Sequence, residues 1–483
     1  MLFNSYEFIF TFLPITFFIY FYLNHKRLTE ASKGFLVFSS LFFYSWWNIA
    51  YLPIILSSML FNYGVGNSLN NEEGHHRFSK KSILTFGIVS NLALLGYFKY
   101  TDFMIDNFNL LTDTNIPSLD LALPLAISFF TFQQISYLVD SYRQETKEYD
   151  FLNYSLFVTF FPQLIAGPIV HHKEMMPQFG SNKNKVKNYR NIAMGLFIFS
   201  IGLFKKVVIA DTFAVWATAG FDYVETLNLI EAWATSLSYT FQLYFDFSGY
   251  TDMAIGLALL FNIRLPINFN SPYKATNIQD FWRRWHITLS RFLKDYVYIP
   301  LGGNKKGEFR TYSNLLATFI IGGIWHGAGW TFVFWGFLHG IALVIHRAWS
   351  KLGFKIWTWL AWLITFNFIN IAWVFFRAKE WNDATKVLSA MFFGEFVLPY
   401  SIIEKFDFLY MIEGSDVLKN INASHDGSLW LIAAFLLILF TPNTHRLSQL
   451  FQANKLFLSI TYLLLMTSLL NLMNFSEFLY FNF

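Results

Sequence analysis

Long uninterrupted apolar runs constrain the fold of this chain more than any other feature. One of them, SYEFIFTFLPITFFIYFYL at residues 5–23, contains a single charged residue and is long enough to cross a lipid bilayer as a helix. Similar runs recur towards the C-terminus, as in LWLIAAFLLILF and LFLSITYLLLM. Charged residues make up only 14% of the 483-residue sequence, too few for the surface of a soluble protein. The sequence therefore predicts an all-α, polytopic membrane protein.

The spacing of these runs predicts about 11 membrane crossings in one domain, 1–483, at roughly 20 residues each. The run 151–170 is interrupted by Pro162, Gly167 and Pro168, so if both of its flanks are cytoplasmic we predict a re-entrant hairpin, whose broken backbone is buried in protein or lines a cavity. Segments 313–324 and 387–398 are short for a full crossing. The predicted spans are 3–23, 35–50, 53–69, 82–98, 121–139, 191–220, 229–260, 330–349, 356–376, 428–441 and 456–473.

The charges between the spans predict the orientation. The loop NHKRLTEASKG after the first span is basic, and basic loops stay in the cytoplasm, which places the N-terminus outside. The first run lacks a preceding basic region and a following small-residue cleavage site, so we do not interpret it as a signal peptide. Residues 261–312 hold nine Lys or Arg against three acidic residues and are predicted to be cytoplasmic. Residues 399–427 hold five acidic residues against two Lys and are predicted to be extracytoplasmic.

The sequence also excludes several kinds of chemistry. It contains no cysteine, which rules out disulfides, thiolate metal sites and a covalent thiol mechanism. It has no G-x-S-x-G, no H-E-x-x-H and no convincing nucleotide-binding motif, and we predict no metal. The formal charge of +4 is explained by cytoplasmic loops and does not indicate nucleic-acid binding.

The stretch GGIWHGAGW places His326 inside an otherwise apolar segment. Such a histidine is either a hydrogen-bonding group between packed helices or a functional group. The neighbouring Gly322, Gly323, Gly327 and Gly329 remove side chains around the ring, so the helix can unwind there or another group can approach closely. Because a buried neutral imidazole can accept a proton, we favour a catalytic role for this histidine.

A second histidine lies in the basic loop. Asn277 as an N-cap and Asp280 in the first turn predict a helix over 278–296 at the membrane surface. This helix is either an interfacial anchor or part of a reaction site, and we favour the reaction site because His286 has a candidate partner in His326. The residues that would share one helical face are Trp282, His286 and Ser290.

Two aspartates within a predicted span leave alternatives open. One of Asp246 and Asp252 could orient a histidine or line a hydrophilic cavity, while the other could only pair with Arg264. The sequence does not decide between these roles.

Other polar features favour structural roles. We interpret His339 and His346, on the span after the glycine-rich stretch, as a packing or pore-lining histidine and an end-of-helix histidine. The sequence LGGNKKG at 301–307 could bind phosphates through backbone N–H groups and lysines, but it lacks the P-loop spacing. A turn is therefore the favoured interpretation.

Taken with their context, two motifs resemble a known family. FWRRWHITLSRFLKDYVYIPLGGNKKG, followed by GGIWHGAGWTFVFWGFLHG, is similar to the membrane-bound O-acyltransferases, in the bacterial branch that O-acetylates alginate and peptidoglycan. FFPQLIAGPIVHH, YFDFSGYTDMAIGL, NFNSPY and the terminal EFLYFNF extend the resemblance over nearly the whole chain. The departures are Asn482, where the branch shows Gln, and HH after GPIV, where a basic residue is expected.

The resemblance implies about eleven transmembrane helices around a central funnel. It implies a cytoplasmic acyl thioester as donor, here acetyl-CoA, with no tightly bound cofactor, and a separate periplasmic partner of the SGNH-hydrolase type. The family's essential histidine falls on His326 and its second histidine on His286. We further assign substrate or donor binding to Trp325, Trp285, Arg284, Asn270, Asp246, Tyr250, Lys305 and Lys306.

We therefore expect an O-acetyltransferase in the bacterial inner membrane that serves a cell-wall or extracellular polysaccharide. The abundance of Phe and Asn is typical of an AT-rich genome and favours peptidoglycan over an alginate-like polymer. The alternative is a proton- or ion-coupled transporter, in which His326 relays protons and Asp246 binds a cation. Transporters of this size usually contain repeated halves, which this sequence lacks. A structural scaffold would not explain the glycines around His326.

Overall fold

The computed structural model describes residues 1–71, 78–146, 150–399, 414–415, 417–423, 426–472 and 479. Within these residues the chain is almost entirely helical, as predicted, and strand is confined to a two-residue parallel pair, β1 (Leu398–Pro399) and β2 (Gly414–Ser415). The helices are α1 (Phe8–His25), α2 (Thr29–Ser45), α3 (Tyr51–Asn70), α4 (Lys80–Thr112), α5 (Ile127–Tyr142), α6 (Phe151–Thr159), α7 (Phe161–Leu164), α8 (His172–Gly180), α9 (Tyr189–Tyr223), α10 (Leu229–Leu260), α11 (Ile278–Trp282), α12 (Ile287–Leu293), α13 (Glu308–His326), α14 (Trp330–Leu352), α15 (Thr358–Arg377), α16 (Trp381–Phe393), α17 (Gly427–Phe440), α18 (Thr444–Leu450) and α19 (Lys455–Asn471). A π-helical segment, Lys294–Tyr298, continues α12, and short 3₁₀ turns occupy Asn182–Lys185 and Pro272–Lys274.

The membrane-spanning character is clear for part of this set. Among the described helices, α1, α4, α9, α14 and α15 are long and apolar enough to cross a bilayer. The pair α17 and α18, bent by 55°, forms a sixth candidate if it is counted as one broken span. The all-α membrane class is therefore confirmed, while the count of about 11 crossings, from roughly 20 residues each, stays a prediction.

Helix α10 forms the centre of the molecule, and almost all of its residues are buried. Two glycines on α9 face two on α10, and both pairs are spaced by seven residues. A Cβ on Gly202 would lie 2.5 Å from the Gly249 carbonyl oxygen, and one on Gly256 would lie 2.6 Å from the Gly195 carbonyl oxygen. Small residues at such spacing let membrane helices touch backbone to backbone, which fixes α9 antiparallel against α10.

The helix ends form two sets of contacts, separated by the length of α9. Near the start of α9, the Asn191 side chain donates to Asn262, which follows α10 (2.9 Å). At the other end of α9, Asp222 pairs with Arg377 at the end of α15 (2.6 Å). The Tyr6 hydroxyl, just before α1, donates to a carbonyl in the last turn of α19 (3.0 Å). We call the end with Asn262 the basic end, because it carries the basic loop 261–307.

The interruption predicted within residues 151–170 is confirmed. The helix breaks at Phe160, and the backbone between α7 and α8 is not helical but is buried in protein. Asn153 at its beginning accepts from Lys33 near the start of α2 (2.9 Å), and Glu174 after it pairs with Arg291 (2.7 Å). The segment therefore enters and leaves at the basic end.

Most of the predicted acidic loop 399–427 lies outside the described residues. Its described part includes Asn420, whose backbone and side-chain nitrogens donate to the buried carboxylate of Glu231 in the first turn of α10 (3.1 and 3.2 Å). Residues 72–77 and, apart from Leu479, the terminal EFLYFNF also lie outside the described part of the chain.

Candidate active site

The GGIWHGAGW stretch forms a tight helical hairpin. Helix α13 ends at His326, and α14 begins at Trp330, after a turn of three residues. A Cβ on Gly323 would lie 2.3 Å from the Phe332 carbonyl oxygen, and one on Gly336 would lie 2.4 Å from the Phe319 carbonyl oxygen. The sequence predicted that the glycines let the helix unwind or let another group approach closely. At Gly323 close approach is observed, because α13 remains helical as far as His326.

The His326 imidazole lies in an aromatic cage. Its ring centroid is 4.8 Å from Trp325, 5.2 Å from Trp335 and 5.0 Å from Phe376, with all three rings close to edge-on. The side chain is 5% exposed, and its Nδ1 has no hydrogen-bond partner among the described residues. The histidine is thus packed on its faces while one ring nitrogen remains available for a reacting group.

The predicted continuous helix over 278–296 is wrong. Helix α11 ends before His286, whose backbone is left-handed (φ 42°), and α12 starts after it. The cause is a backbone hydrogen bond from outside the helix, because the Ile287 N–H donates to the Asn268 carbonyl oxygen (3.0 Å). The N-cap at Asn277 is confirmed by its side-chain bond to the first turn. Local periodicity could not reveal a pairing with the preceding extended segment.

This break buries the His286 ring completely. Its Nδ1 lies 3.2 Å from the Asn268 side-chain oxygen, which also accepts from the Thr288 backbone N–H (3.2 Å) and hydroxyl (2.9 Å). That oxygen is an acceptor, so Nδ1 carries the proton and Nε2 presents a lone pair. Nε2 has no partner in the described part of the chain. Burial lowers the pKa of His286, which lies between helices, to about 3, so the ring is neutral at physiological pH.

Trp325 separates the two histidines. Its ring centroid is 6.4 Å from that of His286 and 4.8 Å from that of His326. No hydrogen bond joins the two imidazoles in the described residues. The structure therefore brings both predicted catalytic histidines into one aromatic chamber, on either side of an indole that was itself predicted to bind substrate.

His339 extends the same chamber. It is fully buried, its Nδ1 accepts from the Trp282 indole N–H (3.2 Å), and its ring lies 4.8 Å from Trp335. This agrees with the predicted packing role. His346, two turns further along α14, is half-buried.

The chamber concentrates buried polar atoms that lack partners. Buried polar groups are normally hydrogen-bonded, because an unpaired one costs about 1–3 kcal/mol. A cluster of unpaired atoms among aromatic rings leaves hydrogen-bonding capacity that a polar ligand would satisfy. The atoms in question, all without a partner among the described residues, are His286 Nε2, His326 Nδ1, His339 Nε2 and the indole nitrogens of Trp325 and Trp335.

A second feature, which we call the donor cavity, opens at the basic end. It has a volume of about 590 Å³. Two of the predicted donor-binding residues line it, and the backbone N–H of Asn270 donates to the Arg284 carbonyl oxygen (2.9 Å). The Arg284 side chain also pairs with Asp280 (2.9 Å). The charged and polar lining comprises Asn270, Ser271, Lys274, Arg284, Asn443, His445, Arg446 and Gln449.

The donor cavity and the chamber are neighbours along the chain. Arg284 lines the cavity and His286 lies in the chamber, so two residues, about 7 Å of chain, separate them. Trp285 between them is buried and packs 5.0 Å from Trp373. A small cavity of about 40 Å³, lined by both Asn443 and Asn268, lies on the same path.

Other predicted binding residues lie elsewhere. Lys305 and Lys306 are exposed on the turn before α13 and do not line the donor cavity. The turn itself is confirmed, with positive φ at Gly302, Gly303 and Gly307. Any role of the two lysines in donor binding remains a prediction.

The aspartates form ion pairs within the helix core. Asp246 pairs with Lys206 (2.7 Å) and makes no hydrogen bond to either of the predicted catalytic histidines in the described structure. Asp252 pairs with Lys205 (2.6 Å) rather than with Arg264, and it lines the small 40 Å³ cavity, as one of the open alternatives expected. The predicted pairing with Arg264 is therefore wrong.

Tyr250 also departs from its expected surroundings. It is buried and stacks on Phe3 near the N-terminus, with ring centroids 4.8 Å apart. Its contacts belong to the hydrophobic core, and its assignment to substrate binding stays a prediction.

Sequence reasoning missed three residues that shape this region. Asn268 lies in the quoted stretch NFNSPY, and only the folded backbone reveals its contact with His286. Lys206 and Lys99 are cations inside apolar runs, and that placement is itself a signal of function or of a buried partner. The predicted span 82–98 ended one residue before Lys99, so this lysine was left outside the predicted membrane segment.

The sequence was compared with known proteins. The sequence model of the MBOAT, membrane-bound O-acyltransferase family, matches residues 10–379. A peptidoglycan O-acetyltransferase of Helicobacter pylori is 51% identical, covering 100% of this chain and 98% of that protein. A probable alginate O-acetylase AlgI of Pseudomonas aeruginosa is 40% identical over 82% of this chain and 76% of its own length. A teichoic acid D-alanyltransferase of Bacillus subtilis is 27% identical over 53% of this chain and 69% of its own.

Proposed function

Because this chain belongs to the membrane-bound O-acyltransferase family, we propose that it moves acetyl groups from acetyl-CoA across the bacterial inner membrane for O-acetylation of peptidoglycan. One observation carries the proposal. His286 and His326 flank Trp325 in a closed aromatic chamber, two residues along the chain from a basic cavity. The whole-length relative from Helicobacter pylori supports peptidoglycan, and the alginate O-acetylases make an alginate-like polymer the next candidate.

The donor cavity supports acetyl-CoA as the donor. Its lining includes Lys274, Arg284 and Arg446, and converging cations raise the local concentration of phosphate-bearing ligands. In this proposal the phosphates of CoA bind at the cavity, and the thioester extends past Trp285 towards His286. Arg284 can form bidentate bonds to phosphate, as guanidinium groups do.

The orientation follows from charge. The basic end carries the loop 261–307, and basic loops remain in the cytoplasm. Acetyl-CoA is a cytoplasmic metabolite, so a donor cavity at this end would face its supply. The N-terminus and the end of α19, which the hydrogen bond from Tyr6 holds together, would then lie outside.

The histidines would serve the transfer itself. The acceptor hydroxyl oxygen bonds to the thioester carbonyl carbon while its proton passes to the His326 ring. Collapse of the tetrahedral intermediate breaks the C–S bond, and the proton then moves to the sulfur of CoA. His286, whose tautomer is fixed by Asn268, would accept a hydrogen bond at Nε2 and orient the acceptor.

The intermediate also needs donors for its oxyanion. The indole N–H groups of Trp325 and Trp335 are buried beside His326 and lack partners in the described structure. Preorganised N–H donors in a water-poor site stabilise developing negative charge strongly. We assign the oxyanion to these two groups.

The acetyl group would leave on the outer face to a periplasmic SGNH-hydrolase-type partner, which places it on the polymer. The family resemblance supports this part of the proposal, because the sequence contains no Gly-Asp-Ser nucleophile motif of its own for that step.

The test is release of free CoA from acetyl-CoA by the purified protein. His326→Ala should lower the rate by about 10²- to 10⁴-fold, the usual loss for a general base. His346→Ala, a half-buried histidine on the same hairpin, is the matched control and should retain activity. Wild-type turnover in His326→Ala would remove this residue from the mechanism. Proton flux in liposomes without CoA release would favour the transporter instead.

A further inference from the structure

Helix α4 holds the end of the helix that carries His326. The Lys99 side-chain nitrogen donates to the carbonyl oxygens of Trp325 (2.7 Å) and His326 (2.9 Å). The adjacent Tyr100 hydroxyl donates to the Ile324 carbonyl oxygen (2.6 Å). Three consecutive carbonyls at the end of α13 therefore bond to two consecutive residues of one neighbouring helix.

These carbonyls are the ones that most need partners. The last four carbonyls of an α-helix have no N–H partner within the helix, and they carry its partial negative charge. Water would bond them at a protein surface, but His326 and Trp325 are buried. A lysine amine is suited to this position because it offers several donors and favours the negative helix end.

The same helix also holds the start of α14. The Trp330 indole N–H donates to the Asn107 side-chain oxygen, two turns beyond Lys99 on α4 (2.9 Å). The turn Gly327–Gly329 is therefore bracketed by contacts to α4 on both sides. Its glycines give it little stiffness of its own.

The packing of α4 does not explain why residue 99 is a lysine. Of its 33 residues, only Gly87, Asn91 and Leu95 are buried, so most of the helix is peripheral. A cation on such a helix within an apolar run is unfavourable unless it has partners. Its partners are the backbone atoms of the two residues whose side chains form the centre of the chamber.

We infer that Lys99 is a positioning residue for acyl transfer, which fixes the last turn of α13 and so aims the His326 ring. This inference rests on the proposed function for its kinetic part. The backbone angles of Trp325 and His326 are set by where their carbonyls point, and their side chains follow. A misplacement of about 1 Å can lower a rate about 100-fold.

Lys99→Met tests the inference, because it keeps the length of the side chain and removes its donors. We expect kcat to fall about 10- to 100-fold with KM for acetyl-CoA within about 3-fold, since the donor cavity is at the other end of the path. Tyr100→Phe, which loses only the bond to Ile324, should have a smaller effect. Lys81→Met, an exposed lysine on the same helix, is the control.

Two further measurements separate positioning from general stability. In a His326→Ala background, Lys99→Met should cause no additional loss of rate, because it acts through the missing ring. A comparable loss in both backgrounds would overturn the inference. Amide hydrogen exchange in residues 324–330 should become faster in Lys99→Met than in Lys81→Met, and unchanged exchange would also overturn it. If exchange is faster in Lys99→Met but the protein with the native Lys99 releases no CoA, the hydrogen bonds from Lys99 still constrain the end of α13. That result would refute only the proposed function.

Discussion

Asn268 offers the sharpest perturbation of the site, because one oxygen atom accepts three hydrogen bonds there. They come from His286 Nδ1 and from the backbone and hydroxyl of Thr288. At about 1 kcal/mol each, their loss in Asn268→Ala should lower the free energy of unfolding by about 3 kcal/mol. The rate should also fall, since the His286 tautomer is no longer fixed.

Asn268→Asp is the more informative variant, because a carboxylate keeps the acceptor and adds a negative charge. Burial alone holds the pKa of His286 at about 3 in the native protein. A facing anion favours the protonated ring and raises that pKa. Below the raised pKa, Nε2 is protonated and can no longer accept a hydrogen bond. Activity in Asn268→Asp should therefore be lost as the pH falls through a range where the native protein stays active.

The assay is CoA release by the purified variants between about pH 5 and 8, with unfolding in detergent measured in parallel. Asn367→Ala removes a half-buried asparagine of α15, whose side chain donates only to the Leu363 carbonyl oxygen of its own helix (2.9 Å), and serves as the control. Identical pH profiles for Asn268→Asp and the native protein would refute the assigned contact between Asn268 and His286. So would an Asn268→Ala protein with native stability and native rate.

Three further results are expected. Arg446→Gln should raise KM for acetyl-CoA about 5- to 10-fold with kcat nearly unchanged, because a contact to a phosphate is lost. The control, Arg310→Gln at an exposed arginine, should change neither KM nor kcat. A native KM in Arg446→Gln would show that the donor cavity does not bind acetyl-CoA. In this cysteine-free chain, Lys305→Cys should react with an impermeant thiol reagent only from the cytoplasm and Lys379→Cys only from outside, and reaction of both from one side would overturn the orientation. Replacing residues 400–413 by a short Gly/Ser linker should spare CoA release and stop polymer acetylation in cells, whereas unchanged cell-wall acetyl content would show that the partner docks elsewhere.

Local signals predicted the structure well where the structure is local. The span predicted at 229–260 coincides with α10, because the apolar run begins after an Asn228–Glu231 capping box that marks the helix start. The break at Phe160 followed from the prolines and glycine around it. The turn at 301–307 followed from its glycines. Each of these features is encoded within a few residues.

The failures share a different cause, which is contact between distant segments. The helix expected over 278–296 is interrupted by backbone pairing with Asn268, and nothing within its own periodicity reports that pairing. Asp246 was a candidate to orient a histidine, but Lys206 on α9 neutralises it instead. Of the chamber, only the two histidines, Trp285 and Trp325 were predicted. Its other aromatic walls and its hydrogen bonds from Lys99 come from α14, α15 and α4, which meet only in the fold.

Vectorial transfer is the central claim, and inverted membrane vesicles test it most directly. In such vesicles the cytoplasmic face is outside, so labelled acetyl-CoA added to the medium reaches the donor cavity. The account predicts release of CoA into the medium and accumulation of labelled acetyl esters inside, both lost in His326→Ala. Labelled product that stays in the medium, or turnover only when acetyl-CoA is sealed inside the vesicles, would contradict it.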